Sequence, residues 1–232
     1  MKGSRCKAII KIFQQFVFGL SIRAKDVIEF CRVARRYFPR KRFAFSWCHL
    51  KYRYLFRNPY QCSLSYKWKH KKFDELLYGE TYLTTLDQIT TSANISAKDH
   101  VFELGSGSGY TCLWLSCIIG CKVSAIEIVP IFCWRLGRVQ KSFNLNLDVR
   151  CENFLETDFS GATVIYLYGS ALSDHSITQL AKKLAKLPRR TKIISVSYAL
   201  SEYVDFSAFK ITKQFMAPFD WGEAEVFIQE II

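Results

Sequence analysis

The chain has 232 residues, half of them hydrophobic, with 33 lysines and arginines against 20 aspartates and glutamates and a formal net charge of +13. That apolar content excludes an intrinsically disordered protein, and the length allows one core of about 150 residues plus an extension. No run of about 20 uninterrupted apolar residues occurs, so no membrane-spanning helix is expected.

The first expected element is a helix in AIIKIFQQFVFGLSI, residues 8–22. Ile9, Ile10, Phe13, Phe16, Val17 and Leu20 recur at helical spacing, while Lys11, Gln14 and Gln15 interrupt the apolar run. It reads as an amphipathic helix, with no small-residue cleavage signal after it. Residues 1–72 carry 19 lysines and arginines against only Asp26 and Glu29, a balance of +17, whereas residues 73–232 carry 14 against 18, a balance of −4. From Arg35 to Lys72 the cations interleave with Tyr, Phe and Trp. Such a surface offers counterion release at phosphates and flat rings for stacking. Alternatively, the rings pack inward and the cations solvate the outside. A mixture is expected, in which most aromatics pack and the cations dock an acidic partner. Protein, nucleic acid and anionic membrane all qualify on charge. Residues 1–75 are accordingly read as a basic helical extension and residues 76–232 as the main domain.

The nine cysteines are odd in number and include no C-x-x-C pair, and several fall inside expected strands and helices. Free thiols in a reducing, cytoplasmic setting are expected. Cys48, His49, Cys62 and His70 fit no standard zinc spacing, so no metal site is expected.

The most informative stretch is VFELGSGSGY, residues 101–110. A short apolar strand leads into a glycine turn, and an apolar segment of helical length follows. Strand, turn and helix open a doubly wound sheet, which binds ligands at the carboxyl ends of its strands. The dinucleotide fingerprint has the spacing G-x-G-x-x-G, but here Gly105, Gly107 and Gly109 alternate and Tyr110 stands where the last glycine belongs. Glu103, two residues before the turn, would repel a diphosphate and welcome a ligand that carries an ammonium and a sulfonium. S-adenosylmethionine is such a ligand, and E-x-G-x-G-x-G resembles the first motif of the class I methyltransferases.

The next strand, CKVSAIEIVP, places Glu127 24 residues after Glu103. An acidic residue at that tip accepts hydrogen bonds from ribose hydroxyls. A third strand ends at Glu152-Asn153-Phe154, where the methyltransferase pattern holds adenine, although Phe154 is equally compatible with a core position. ATVIYLYGS (162–170) and TKIISVSYAL (191–200) supply a fourth and fifth strand. The fold expected is α/β: a doubly wound, mostly parallel seven-stranded methyltransferase sheet with helices on both faces.

Between extension and glycine turn lies LLYGETYLTTLDQI (76–89). Its Y-G-E-T is similar to the cofactor-covering loop of the disruptor-of-telomeric-silencing family of histone lysine methyltransferases. The similarity covers about residues 76–200, and the short format also resembles the ATP-synthase-subunit lysine methyltransferases. The resemblance implies that Tyr78, Gly79, Glu80 and Thr81 close over the methionine end. It also implies that Glu103, Gly105, Ser106, Gly107 and Gly109 line the cofactor, that Glu127 takes the ribose, and that Asn153 and Phe154 take the adenine. The histone enzymes carry paired asparagines and an aromatic after the fourth strand, where this chain has Tyr168, Gly169 and Ser170. Trp221 matches on the last strand, but the expected tyrosine is replaced within Phe227-Ile228. The cofactor half is thus retained and the acceptor half rebuilt.

A lysine acceptor has a solution pKa of about 10.4, which leaves roughly one amine in two thousand neutral at pH 7. A desolvated aromatic channel raises that fraction. Tyr168, near the tip of the fourth strand, is the expected channel wall and catalytic residue, with Tyr198 and Trp221 beside it and Tyr166 in the core. No Asn/Asp-Pro-Pro-aromatic motif and no catalytic cysteine pair point to a base. The expected function is methylation of protein lysine, with the extension recruiting an acidic macromolecular target. RNA methylation is the alternative, and a protein that only holds the cofactor is a third class.

Overall fold

Short apolar runs bounded by turns form the centre of the molecule, seen in a computed structural model that describes residues 24–70, 78–169, 171–204 and 208–232. The amphipathic segment at 8–22 lies outside the described residues, as does Ser170. Seven strands are present: β1 (His100–Leu104), β2 (Lys122–Glu127), β3 (Leu147–Cys151), β4 (Val164–Leu167), β5 (Lys192–Val196), β6 (Phe209–Phe219) and β7 (Gly222–Ile231). They form one sheet in the order β3-β2-β1-β4-β5-β7-β6. The first five run parallel, and β7 inserts antiparallel between β5 and β6. This is the expected seven-stranded methyltransferase arrangement.

β1 pairs with β2 on one side and β4 on the other, so the crossover direction reverses there. A crevice opens at the carboxyl ends of strands at such a point. Register sets what faces it: Leu104 pairs with Ile126 and with Leu167, which brings Glu127, Gly105 and Tyr168 to one edge of the sheet.

Nearly continuous apolar strands require cover on both faces. Along β1 and β4 alternate residues enter different hydrophobic clusters. Val101, Val164 and Tyr166 join one, and Phe102, Leu104, Ile165 and Leu167 join the other. Ile177, Leu180 and Leu184 of α7 (Asp174–Leu184) complete the second cluster. The first is covered by α5 (Tyr110–Trp114), which runs into a π-helical turn at Leu115–Ile119, and by α6 (Pro130–Phe143). Pro130 at its start suits α6, because a first-turn amide has no intrahelical partner to lose.

The extension contributes helical residues 24–37, called α1, then α2 (Lys41–Arg53) and α3 (Pro59–His70), and α4 (Leu83–Ser92) follows the Y-G-E-T segment. Charge changes sign near residue 75, but the hydrophobic cluster runs across that boundary. Val33, Tyr37, Phe43, Leu50, Tyr54 and Cys62 all belong to the first core cluster. Arginines add polar anchors. Arg42 donates to the carbonyls of Phe143 at 3.0 Å and Asn144 at 2.5 Å, Arg40 donates to that of Ile118, and Arg36 pairs with Asp87 at 2.7 Å. Other rings stay outside, among them Tyr52, Phe56 and Trp68. No helix among the described residues is long and apolar enough to cross a membrane.

Candidate active site

After Leu104 the chain turns through three glycines with positive φ, +77° at Gly105, +52° at Gly107 and +87° at Gly109. The amides of Gly105 and Ser106 donate back to the Ile126 carbonyl at 2.9 and 3.0 Å, which ties the turn to β2. The three glycines serve different neighbours. A Cβ on Gly109 would lie 2.6 Å from Leu136, and one on Gly107 would lie 2.8 Å from the Tyr78 ring. A Cβ on Gly105 would meet nothing within 4 Å, because the chain there borders open space.

That space is two cavities. One, of about 250 Å³, is lined by Glu127, Ile128, Asn153, Phe154 and Leu172. The other, of about 30 Å³, is lined by Glu80, Thr81, Glu103, Ser106 and Ser108. Tyr78, Gly79, Gly105, Gly107 and Tyr168 border both. The residues expected to hold a cofactor are therefore gathered here from four separate segments, with Gly109 behind them as a packing residue.

Two buried carboxylates dominate the electrostatics. Glu103 accepts from Cys112 Sγ at 2.8 Å and from Thr111 Oγ1. Burial pushes its pKa up to about 7 against the pull of those two donors. Glu127 accepts from the amides of Gly107 and Val129, both at 2.7 Å, and burial raises it as well. Neither forms a salt bridge among the described residues. Ser106 Oγ is buried with no partner among the described residues. Carboxylates without counter-ions, an orphaned hydroxyl and a glycine whose Cβ would fill the space together fit a ligand with a cationic end and sugar hydroxyls.

The Y-G-E-T segment closes over the glycine turn. Tyr78 packs on Phe132 at 5.5 Å and on Tyr60 at 4.9 Å, and its hydroxyl donates to Glu80. Thr81 Oγ1 bonds the Tyr166 hydroxyl at 2.6 Å, so Tyr166 is a core ring that also anchors the segment. Gly79 has ordinary φ, but its Cβ would stand 2.7 Å from the Tyr168 hydroxyl. Its lack of a side chain lets Tyr168 approach.

Tyr168 donates to Asp220 Oδ1 at 3.1 Å and receives the indole N–H of Trp221 at 2.5 Å. Burial and the neighbouring Asp220 carboxylate push its pKa well above the ordinary tyrosine value. It is a neutral phenol at physiological pH and cannot serve as a base. Trp221 is half exposed and stacks on Phe219. Tyr198 stands apart. It lines neither cavity, belongs to the second core cluster, and donates to the Gly169 carbonyl at 3.2 Å. Its position supports the strand end and does not match the channel expected from sequence. Asn153 spends its Oδ1 on the Leu155 amide at 3.0 Å, which shapes the turn that presents Phe154.

Asp220 was not singled out from sequence, yet it is the hub of this wall. Oδ2 accepts from the Tyr60 hydroxyl at 2.7 Å and from the Glu80 amide at 2.9 Å. The available signal was its place beside Trp221. Its partners lie 140 and 160 residues away, and only the fold brings them together.

A family model described as "Histone methylation protein DOT1" matches residues 60–147, from α3 through the glycine turn to the start of β3. That match, over 88 of the 232 residues, makes the chain similar to S-adenosylmethionine-dependent methyltransferases in its glycine-turn region. Solved structures share its fold. One is an RNA methyltransferase from Salinibacter ruber in complex with S-adenosyl-L-homocysteine, 21% identical over 66% of this chain and 93% of that one, TM-score 0.55. Another is the B. subtilis tRNA methyltransferase TrmK, 17% identical over 68% of each chain, TM-score 0.53. A mutant of MtNAS in complex with S-adenosylmethionine is 13% identical over 75% of this chain and 73% of that one, TM-score 0.54. At such identities the likeness concerns the fold alone. No curated protein sequence matches this chain.

If Glu103 holds the ammonium of the ligand, its raised pKa makes that binding pH-dependent. Without ligand, burial favours the protonated form; that contribution to stability is complete below the unfolded value of about 4.3 and is lost as pH rises through about 7. An ammonium at Glu103 requires the carboxylate, so binding below pH 7 releases a proton. Affinity for S-adenosylmethionine should rise between pH 5 and about 7 and level off above. Calorimetry in buffers of different ionisation heat measures this directly, and a flat profile would remove Glu103 from the ligand contact.

Proposed function

We propose that the chain is an S-adenosylmethionine-dependent methyltransferase that transfers a methyl group to the ε-amine of a lysine in a protein. Bound S-adenosylmethionine supplies a methyl group on a sulfonium, and the chain must position the acceptor and exclude water. In this reading Glu103 holds the cofactor ammonium and Glu127 the ribose hydroxyls, with Asn153 and Phe154 beside the adenine. Gly105, Ser106 and Gly107 form the cradle, and Tyr78, Gly79, Glu80 and Thr81 form the cover.

The observation that carries a lysine acceptor is Asp220. Three donors (Tyr60 Oη, Tyr168 Oη and the Glu80 amide) fix its carboxylate next to the tyrosine that borders both cavities. A fixed carboxylate attracts the ammonium and is placed to take up its proton, a transfer that the rings of Tyr60, Tyr168 and Phe219 favour by excluding water. The neutral amine then takes the methyl group and S-adenosyl-L-homocysteine leaves. Tyr168 positions Asp220 and walls the acceptor's approach, with Trp221 bonded to it from outside.

The basic extension supports a second reading, RNA methylation, and its outer cations suit an acidic macromolecule or an anionic membrane surface as docking partner. Cytoplasmic location belongs to the same proposal. Methyl transfer from labelled cofactor into a lysate, followed by protease or RNase digestion, separates the two acceptors. Label should be released by protease as methyl-lysine. Asp220→Asn should cut transfer roughly ten- to a hundredfold, the worth of a charge-assisted contact of about 1.5–3 kcal/mol, with cofactor affinity within about twofold. RNase-sensitive label would establish the second reading instead.

A further inference from the structure

A third cavity, of about 420 Å³, lies between the extension and the Y-G-E-T segment. Residues 1–72 contain two carboxylates among 19 cations, and both of them, Asp26 and Glu29, line this cavity. Glu80 and Asp220 join them from the main domain, and Lys51 is the one lysine or arginine among the described lining residues. Four carboxylates against one ammonium is the reverse of the charge around it.

The space between the carboxylates is walled by rings, namely Phe30, Trp47, Tyr60, Tyr82 and Tyr110. Carboxylates set among aromatic faces are complementary to an organic cation, which gains from both. One further observation points to a ligand. Tyr110 is only 6% exposed, and its hydroxyl has no hydrogen-bond partner among the described residues although the ring borders both this cavity and the small cofactor cavity. The chain's own Lys51 Nζ stands 4.3 Å from the Tyr110 ring centroid and 5.2 Å from that of Trp47, which leaves Phe30, Tyr60 and Tyr82 beside the carboxylates for a ligand.

Acceptor capacity remains on the carboxylates. Glu29 is committed to Thr84, whose amide and hydroxyl it accepts at 3.0 and 2.7 Å. Asp26 accepts one long bond, from the Tyr82 hydroxyl at 3.4 Å. Asp220 faces both ways, holding Tyr168 through Oδ1 and Tyr60 through Oδ2. Glu80 and Thr81 line both this cavity and the small one, so a cation bound here lies next to the cofactor cavities and outside them.

We infer that this cavity is a second cation subsite, which seats the alkylammonium of a lysine flanking the acceptor on the target protein. It rests on the proposed lysine methylation and specifies it: the target segment at the site is basic, while acidic partners are left to the outer face of the extension. A phosphate backbone would be repelled from the same carboxylates.

The test uses the full chain with saturating S-adenosyl-L-homocysteine, with the Trp47 indole signal followed by NMR. Nα-acetyl-lysine methylamide should shift that signal saturably, and the uncharged norleucine analogue should leave it unmoved. Asp26→Asn, at an exposed residue outside the core, should weaken the lysine effect about tenfold while the rest of the spectrum stays native. Equal shifts from both probes, no shift from either, or a shift produced only by a uridine oligonucleotide would overturn the subsite. A lysine-selective Trp47 shift in a protein that labels only RNA would keep the subsite and refute lysine methylation.

Discussion

Deletion of residues 1–72 should yield an insoluble or molten protein, not a catalytic domain freed of its recruitment arm. The segment removed contains Phe43 and Leu50, both fully buried, with Val33, Tyr37, Tyr54 and Cys62 in the same cluster as Trp114 and Leu136. Truncating one buried Phe or Leu to Ala costs about 2–5 kcal/mol, and a whole domain is stable by only about 5–15 kcal/mol. Loss of six such side chains exceeds that margin. The polar anchors go with them, including Arg42 on the Phe143 and Asn144 carbonyls and Tyr37 on Asp87. Solubility and near-UV circular dichroism of the truncated chain report the outcome. A soluble fragment with a cooperative melt would mean that the shared cluster is dispensable.

Gly107→Val should abolish cofactor binding, by at least about a hundredfold, in a protein that still folds. A left-handed conformation costs a residue with a Cβ roughly 1–2 kcal/mol, more when it is β-branched. At φ +52° the new Cβ would also stand 2.8 Å from the Tyr78 ring. Tyr78 would have to leave its seat on Phe132 and Tyr60, carrying the Glu80 contact with it. The Gly107 amide would then lose its place at Glu127. Together these approach 3 kcal/mol or more, about a hundredfold in Kd. The damage comes through the cover as much as through steric filling of the cradle. Retained affinity for S-adenosylmethionine, measured by calorimetry on the folded variant, would show that the turn is not part of the cofactor site.

The sheet and the cofactor cradle were legible because they rest on local patterns. Strand and turn chemistry can be read within ten residues at 101–110, and Glu127 lies at a spacing set by one strand–helix–strand unit. The proposed acceptor wall is built differently. Tyr60, Glu80, Tyr168 and Asp220 come from four distant segments, and nothing in any one of them announces the others. Tyr198 shows the opposite failure. It has the right residue type at a strand end, but its side chain enters the second core cluster and so misses the cavities. The extension posed a third problem, since alternating cations and rings do not say which rings face inward. Buried Tyr37, Phe43 and Tyr54 and exposed Phe56 and Trp68 differ in helix phase and in what lies beneath them, which composition does not encode. Asp26 and Glu29 enter the sequence reading only through the charge balance, and it is the fold that places both in one cavity.

Calorimetric titration of the full chain with S-adenosylmethionine and, separately, with NAD tests the cofactor assignment most directly. One saturable site for S-adenosylmethionine, weakened when Glu127 is changed to Ala, and no heat from NAD is the expected result. Saturation by NAD at a similar concentration, or silence with S-adenosylmethionine, would contradict it.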